Sequence, residues 1–381
     1  MNPRDAHPLF GPNRFKLGVF NANCDGGLTM SKAPERWRAE WPDIERLAVM
    51  ADDAGIDFLL PVAKWRGYAG EADNCGRCFE TLTHGAALAA LTRRIGIFAT
   101  VHVPLVTPTF AARAIATIDH VSRGRAGLNI VVGWNQGEFD MHGVSLDMER
   151  RYDRGLEWFR IFARMLEDRD TPFDWDGEFY HLKGLASDPV SLQRPWPVIM
   201  SAGFSPKGRH FAARACDVLF TNLTEMDQAS HLVADIRAAA AAQGRQVGVY
   251  TMSHIVCRPT QREAEDFYYY FAEEMADREA LDYYKQQKGL SSRNDPRYVD
   301  RPLMTRFTRG SGLSYSGSYP GAFPIVGTPD DVTAEMIRMA DAGLAGTSIA
   351  FLNYLDEMPF FIETVLPRLQ RAGLRQGLRA A

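Results

Sequence analysis

The sequence has few of the features that mark membrane, secreted or nucleic-acid-binding proteins. Among its 381 residues, no apolar run reaches the roughly 20 residues of a membrane-spanning helix. The first residues, from Met1 to His7, lack the apolar core of a secretory signal. The 43 basic and 47 acidic residues give a formal net charge of −4, so no basic surface for nucleic acid or an anionic membrane is expected. We therefore predict a cytoplasmic protein whose partner is a small molecule or another protein.

Cysteine is also scarce. Five cysteines scattered over so long a chain argue against a disulfide framework. Two of them form a C-x-x-C motif, Cys75-Gly76-Arg77-Cys78, which is typical of half a zinc site or of a redox pair. No second C-x-x-C and no thioredoxin-like pattern accompany it, so the two are interpreted as thiols in a loop before a helix. The nine histidines show no H-E-x-x-H pairing, and no metal is expected.

Alternating strands and helices are predicted along most of the chain. Short apolar runs bounded by turn residues predict eight strands, and helical spacing of apolar residues with capping signals predicts helices between them. The predicted strands span residues 15–20, 56–61, 95–100, 126–131, 197–201, 218–221, 248–256 and 347–352. The predicted helices span residues 42–54, 80–92, 108–122, 207–215, 229–242 and 262–276. Units of this length favour parallel strands with crossover helices, which predicts an α/β fold of the TIM-type (β/α)8 barrel class.

Two insertions and an N-terminal arm complete the predicted organisation. Residues 1–14 are polar and rich in proline, and we expect them to form a loose arm before a single barrel domain at 15–381. The segment at about 168–195 resembles a small hairpin inserted before strand five. The aromatic and glycine-rich segment at about 277–324 has little periodicity, which is typical of a functional lid or of a disordered loop, and a lid is favoured.

The stretch Asn129-Ile130-Val131-Val132-Gly133-Trp134-Asn135-Gln136-Gly137-Glu138-Phe139 is where we expect the chemistry. It begins as a buried strand, breaks at a glycine and then presents amide, indole and carboxylate groups. In barrels of parallel strands, ligands gather at the carboxyl ends of the strands. Because an amide both donates and accepts hydrogen bonds, Asn129 together with Glu138 is assigned to the polar edge of a flat heterocycle.

A second pattern indicates a phosphate site. In Ser201-Ala202-Gly203-Phe204-Ser205-Pro206, small residues and a hydroxyl precede a helix whose positive end suits an anion. Arg151 and Tyr152, at the start of another helix, offer a guanidinium and a phenol to the same anion. An ordinary capped helix and a surface arginine would give the same pattern, so only the combination of the two at one barrel face favours a phosphate cradle. His102, after strand three, is open to two readings, an acid or base near the substrate and a packed residue.

The combined motifs resemble the bacterial luciferase-like flavin monooxygenases, and most closely the branch that holds the pyrimidine and dimethylsulfone monooxygenases. The resemblance covers about Phe15 to Leu369. It rests on five motifs: Asp57-Phe58 with Lys64-Trp65-Arg66-Gly67; Ala116-Thr117-Ile118-Asp119 with Ser122-Arg123-Gly124-Arg125; Asn129 through Trp134 with Glu138; Arg151-Tyr152; and Ala202-Gly203-Phe204-Ser205. The segment 277–324 and the pair His102 and Pro104 depart from the pyrimidine enzyme, which leaves the substrate open.

The resemblance implies FMN at the barrel mouth and a function as a two-component monooxygenase. The FMN phosphate would lie near Arg151, Tyr152, Gly203 and Ser205. The positions that match flavin contacts are Ala63, Lys64, Asn129 and Glu138, and those that match the dioxygen pocket are Leu60, Thr100 and Asn129.

The resemblance also implies a separate flavin reductase that supplies reduced FMN. Molecular oxygen would be activated as a flavin peroxide, and its position at N5 or at C4a of the flavin stays open. The peroxide would oxygenate a small heterocyclic or organosulfur substrate. A homo-oligomer is also expected. Three alternatives on the same barrel stay open at this point: a deazaflavin-dependent reductase or dehydrogenase, a flavin-degrading enzyme and a non-catalytic flavin-binding protein.

Overall fold

Eight parallel strands form a closed barrel, which confirms the predicted fold class. The computed structural model describes residues 2–167, 169–223, 226–291, 308–309, 313–314 and 322–377. The barrel strands are β1 Lys16–Phe20, β2 Phe58–Leu60, β3 Gly96–His102, β4 Ala126–Val131, β5 Val198–Ala202, β6 Val218–Phe220, β7 Gly248–Cys257 and β8 Gly346–Ala350. Each strand pairs with the next in chain order, and β8 pairs with β1 to close the barrel.

Helices follow the strands in turn and form the outer layer. The principal ones are α1 Trp41–Asp53, α2 Thr81–Leu91, α3 Pro108–Ser122, α4 Arg151–Glu167, α5 Pro206–Ala215, α6 Ala229–Ala241, α7 Pro329–Asp341 and α8 Tyr354–Thr364. Local sequence sets several of their starts. Thr107 caps α3 by accepting a hydrogen bond from Phe110 N, and Pro108 suits the first helical position, where no backbone donor is needed.

Further helical segments connect these elements. They are the 3₁₀ turns Pro3–Ala6, Pro8–Phe10, Asp140–His142 and Met226–Gln228, the helices Gln136–Phe139, Gln261–Tyr269, Arg278–Ser291 and Leu366–Arg371, and the π turn Tyr270–Glu274. The N-terminal arm, expected to be loose, instead packs against the barrel. His7 is fully buried, and Arg4 forms an ion pair of 2.6 Å with Asp217. No helix in the described ranges is both long and apolar enough to span a bilayer.

Aromatic rings fill the lower half of the barrel. A Cβ atom at Gly18 would lie 2.2 Å from the Phe58 ring, and one at Gly127 would lie 2.5 Å from the Phe98 ring. Glycine at these two positions therefore makes room for the rings, whose centroids are 5.9 Å apart. Because the interior is packed here, polar groups of a site are confined to the carboxyl ends of the strands.

The predicted hairpin before β5 is confirmed. Phe173–Asp176 pairs antiparallel with His181–Leu185. Glu157 of α4 holds the turn of this hairpin, because its carboxylate accepts the backbone N–H groups of residues 178, 179 and 180 at 3.0 to 3.2 Å. The hairpin is thereby fixed to the helix that begins with Arg151.

An additional strand extends the sheet above β7. The upper half of β7, residues 253–257, pairs in parallel with Phe323–Gly327. The sequence did not predict this strand, which begins within the segment assigned to the lid. Helix Arg278–Ser291 begins the same segment, whereas most of the expected lid, residues 292–307, 310–312 and 315–321, lies outside the described residues.

Candidate active site

A buried ion pair joins the carboxyl ends of β2 and β4. The Lys64 ammonium contacts the carboxylate of Glu138, and each side chain is only 4% exposed. Glu138 lies on the one-turn helix after β4, which Asn135 caps, and the Asn135 amide also donates to Glu138 Oε1 at 3.3 Å. Charged groups held this far from water interact strongly with any polar ligand beside them.

Aromatic rings surround the same ammonium. Lys64 Nζ lies 4.3 Å from the centroid of Tyr68 and 5.9 Å from that of Trp134. Burial lowers the pKa of Lys64 to about 8. The ring faces partly offset the lost hydration of the cation, so this corner of the barrel mouth combines a charge pair with flat apolar surfaces.

Asn129 and Thr100 form the central polar contact of the site. Asn129 Nδ2 donates to Thr100 Oγ1 at 3.2 Å, and that hydroxyl donates in turn to Pro61 O at 2.6 Å. Thr81 Oγ1 donates a hydrogen bond of 2.5 Å to the backbone carbonyl of Thr100. Asn129 Oδ1 is buried and has no partner among the described residues. A buried acceptor without a donor is costly, so this oxygen is suited to a ligand N–H group.

His102 is a neutral base at this site. It is the last residue of β3, so the strand runs two residues beyond its predicted end. Burial, followed by the nearby charges of Lys64 and His142, lowers the pKa of His102 to about 4. Its ring meets Phe139 edge-on at 5.4 Å, and its Nδ1 has no partner in the described part of the chain. A neutral imidazole near neutral pH can accept or donate one hydrogen bond without carrying charge.

Three residues predicted to form a phosphate cradle, Tyr152, Gly203 and Ser205, lie together at the start of α5. Ser205 caps this helix by accepting a hydrogen bond from Gly208 N at 3.1 Å, and Tyr152 OH lies 3.4 Å from Ser205 Oγ. A Cβ atom at Gly203 would lie 2.9 Å from the Gly208 carbonyl group, so the close approach of the two backbones requires glycine at position 203. Hydroxyls and the N–H groups of a helix N-terminus suit a phosphate.

Arg151 differs from the two arginines beside it. Arg150 pairs with Glu178 at 2.5 Å, and Arg154 Nε donates to Tyr180 OH at 3.2 Å. Arg151 lies with its Cζ 5.2 Å from the Tyr152 ring, next to the cradle. Its Nε is buried and has no partner in the described ranges. In an ordinary surface arginine, water would accept a hydrogen bond from this Nε. In Arg151 the Nε–H group is buried and is available to a ligand.

The structure brings most of the predicted site residues into two neighbouring groups. Ala63, Lys64, Thr100 and His102 line one pocket. The second group, around Ser205, is the phosphate cradle described above. Asn129 and Glu138, on β4 and the turn after it, lie between the strands that carry the two groups. Leu60, only 1% exposed, lines a separate pocket between β2 and helices α1 and α2.

Several residues of the site were not predicted individually. Asn135 binds Glu138 three residues further along the chain, and Thr81 at the start of α2 donates to the backbone carbonyl of Thr100 on β3. Cys78 lines the pocket of Lys64 and His102, although sequence reasoning treated it as a loop thiol. A cap residue followed three positions later by Glu138 was the one local signal that pointed to Asn135.

Comparisons with known proteins identify the family of the chain. The model of the luciferase-like monooxygenase family matches residues 15–346. An FMNH2-dependent dimethylsulfone monooxygenase of Pseudomonas putida is 29% identical over 369 residues, which cover 96% of this chain and 98% of that protein. The pyrimidine monooxygenase RutA of Allorhizobium ampelinum is 27% identical over 378 residues, which cover 96% and 100%.

A solved structure shows the same fold. The crystal structure of DmoA from Hyphomicrobium sulfonivorans superposes with a TM-score of 0.80 at 21% identity, covering 97% of this chain and 90% of that one. The family resemblance seen in the sequence is thereby confirmed. With a family match that extends from the first barrel strand into the last, the protein belongs to the luciferase-like monooxygenases.

Proposed function

We propose that the protein is a reduced-FMN-dependent monooxygenase that uses molecular oxygen to oxygenate a small heterocyclic or organosulfur substrate. The observation that carries the proposal is the unpartnered Oδ1 of Asn129, buried at the carboxyl end of β4 beside Thr100. A flavin ring presents N–H and C=O groups along one edge, which an amide can match. The family match and the printed activities of the relatives support the same reading.

The residues present fit FMN at both of its ends. The phosphate would bind at the N-terminus of α5, where Ser205 and Tyr152 offer hydroxyls and Arg151 has a spare donor. The polar edge of the ring would face Asn129 and the Glu138 carboxylate, whose charge Lys64 balances. Reduced FMN, when bound, supplies the electrons that make oxygen reactive.

The chain's own groups would position the reactants and exclude water. The Thr100 hydroxyl is fixed by Pro61 O and Asn129, so it lies in one orientation at the mouth of the barrel. His102 stays neutral and offers a hydrogen bond without attracting a counter-ion. An apolar wall at Leu60 that limits the access of water stays a prediction, because Leu60 lines the separate pocket between β2 and helices α1 and α2.

Reduced FMN would come from a separate flavin reductase. The name of the Pseudomonas putida relative states dependence on FMNH2, which supports this division of labour. The identity of the substrate, the attachment of oxygen at N5 or C4a and assembly into a homo-oligomer stay predictions.

Anaerobic titration tests the proposal directly. The purified protein is titrated with oxidised and reduced FMN, mixed with oxygenated buffer, and supplied with sulfones, pyrimidines and related heterocycles. We expect tighter binding of reduced FMN and an oxygenated product from at least one substrate class. Binding of a reduced deazaflavin in place of FMN, or oxidation of the flavin with no oxygenated product in the whole screen, would overturn it.

A further inference from the structure

Three cysteines meet beside the pocket that contains Lys64. Cys24 lies in the loop after β1, and Cys75 and Cys78 lie in the loop before α2. Burial, followed by the proximity of Cys75 and Cys78, raises the pKa of the Cys24 thiol well above its usual value. Cys24 and Cys75 are buried, whereas Cys78 is partly exposed and lines the pocket together with Lys64 and His102. A small solute in the pocket therefore reaches Cys78 first.

Cys24 and Cys78 face each other across an antiparallel bridge. Asp25 N donates to Arg77 O at 2.9 Å and Phe79 N donates to Asn23 O at 3.1 Å, so the hydrogen bonds flank the two cysteines and do not join them. Such non-hydrogen-bonded pairs have Cα atoms about 4.5 Å apart. That separation falls within the roughly 4.4–6.8 Å of disulfides, so a bond between the two sulfurs needs no rearrangement of the backbone.

The surroundings also favour thiol chemistry. Asn23 Nδ2 donates to Cys78 Sγ at 3.3 Å, and Asn21 Nδ2 approaches Cys75 Sγ at 3.6 Å. The hydrogen bond from Cys24 lowers the pKa of Cys75 against the effect of its burial, and the Lys64 ammonium acts in the same direction. Amide donors and a nearby cation stabilise a thiolate, which is the reactive form of cysteine.

A metal site does not account for the cluster. Within the described ranges, no group of three or more histidine, cysteine or acidic side chains has an arrangement that could hold a metal ion. The three thiols are free cysteines in contact. Neighbouring thiols of this kind can be oxidised to a disulfide.

We propose that Cys78 and Cys24 are a peroxide-oxidisable dithiol in the wall of the pocket. The Cys78 thiolate attacks one oxygen of hydrogen peroxide, the O–O bond breaks, and the departing hydroxide takes up a proton to leave as water. The Cys24 sulfur then attacks the sulfenic sulfur of Cys78. The S–O bond breaks, the Cys24 proton leaves with the oxygen as a second water, and a disulfide forms.

In the overall reaction, two thiols are oxidised to one disulfide, and one molecule of hydrogen peroxide is reduced to two molecules of water. Because peroxide supplied from solution is sufficient, the proposal holds whether or not the protein oxygenates a substrate. It differs from the interpretation of Cys75 and Cys78 as loop thiols, and also from a redox pair within the C-x-x-C motif, since the partner of Cys78 is the distant Cys24.

Peptide mapping of the full-length wild-type protein tests the pairing. The protein is treated with hydrogen peroxide or buffer, alkylated while unfolded, and digested with trypsin without reductant. Cleavage after Lys32, Arg66, Arg77 and Arg93 places the three cysteines on separate peptides. We expect residues 17–32 linked to residues 78–93, a link that dithiothreitol reverses, and a fall from five free thiols to three. No link, or a link between residues 17–32 and 67–77, would overturn the assignment.

Matched serine variants separate the two roles. In Cys24→Ser, Cys78 should accumulate as a sulfenic acid that dimedone traps, whereas Cys78→Ser should form neither adduct nor link. Cys216→Ser, a fully buried cysteine elsewhere in the barrel, should keep the wild-type link. Thermal unfolding of each variant checks its folding, and the wild-type map decides the question even if a variant fails to fold. Dimedone labelling of Cys24 or Cys75 in place of Cys78 would contradict the proposed order.

Discussion

Asn129 on β4 donates its amide hydrogen to the hydroxyl of Thr100 on β3 at 3.2 Å, and the two residues are direct partners in the strand register. This bond fixes the orientation of the amide. Nδ2 is occupied, and Oδ1 stays available as an acceptor at the barrel mouth. The pair therefore shows how a β-barrel can hold an unsatisfied group in place for a ligand.

Replacing this amide separates function from stability. Asn129→Ala should abolish product formation while lowering the free energy of unfolding by only about 1 kcal/mol, the usual net value of one hydrogen bond. Gln193→Ala is the matched control, because Gln193 is a buried amide that donates to Asp119 and to Ala126 O at the opposite end of β4. The Gln193→Ala substitution should lower the free energy of unfolding and leave product formation unchanged. Product assays with supplied reduced FMN and urea unfolding measure both quantities; wild-type turnover by Asn129→Ala would refute the assignment.

The spare Nε donor of Arg151 should bind phosphate. Arg151→Ala is expected to weaken FMN binding by about 1.5–3 kcal/mol, the range for a hydrogen bond to a charged group. Arg150→Ala is the control, since that arginine is engaged by Glu178. Equilibrium titration with FMN followed by fluorescence compares the two variants. An equal loss of affinity in both would show that net charge, and not the cradle, is responsible.

The buried pair of Lys64 and Glu138 should respond to a double-mutant cycle. Glu138→Leu leaves the ammonium without its counter-charge, Lys64→Met leaves the carboxylate without its own, and each is expected to destabilise the protein by about 3 kcal/mol. The double variant Lys64→Met with Glu138→Leu should recover much of that stability, because two apolar groups need no hydration. It should not recover FMN binding. Urea unfolding and FMN titration provide the readouts, and additive losses of stability would argue against coupling of the two side chains.

Buried histidines should make the protein acid-sensitive. Burial lowers the pKa of His254 from 6.5 to about 3 and that of His102 to about 4. Between these values and pH 6.5 the unfolded chain binds more protons than the folded one. The contribution of these histidines to the free energy of unfolding is therefore fully present above pH 6.5 and decreases as the pH falls. Each such histidine contributes a slope of about 1.4 kcal/mol per pH unit.

Removing one of these groups should flatten the dependence. His254 stacks on Phe271 at 5.2 Å, and neither of its ring nitrogens has a partner among the described residues. His254→Phe keeps a ring and removes the proton-binding site. Urea unfolding from pH 7 to pH 4 should show a smaller decrease for this variant than for the wild type. Parallel curves would mean that other groups dominate acid unfolding.

The bounds of helices and strands could be predicted from sequence where an element is determined by its own residues. Helix α3 begins and ends where its cap, first-turn proline and apolar spacing predict, and β4 has its predicted bounds. The start of α5 and its cap at Ser205 could also be predicted, because a hydroxyl residue, a proline and small residues are adjacent in the chain. These features depend on short-range geometry.

Long-range contacts were the part that sequence could not provide. Lys64 and Glu138 were each assigned to the flavin, but their pairing spans 74 positions and depends on how β2 and β4 end. Cys24 was not connected with Cys78 for the same reason. The strand Phe323–Gly327 contains a proline and follows a glycine-rich stretch, and its pairing with β7 decides its structure more than its composition does.

The length of β7 has a consequence for the evolution and engineering of this barrel. Residues 248–250 pair with β6 and residues 250–254 pair with β8 to close the wall, while residues 253–257 pair with Phe323–Gly327. One strand thus takes part both in the closure of the barrel and in the pairing with an added strand. The pairings of β7 with β6 and β8 do not involve Phe323–Gly327. We therefore expect the barrel to keep its register when the added strand is altered.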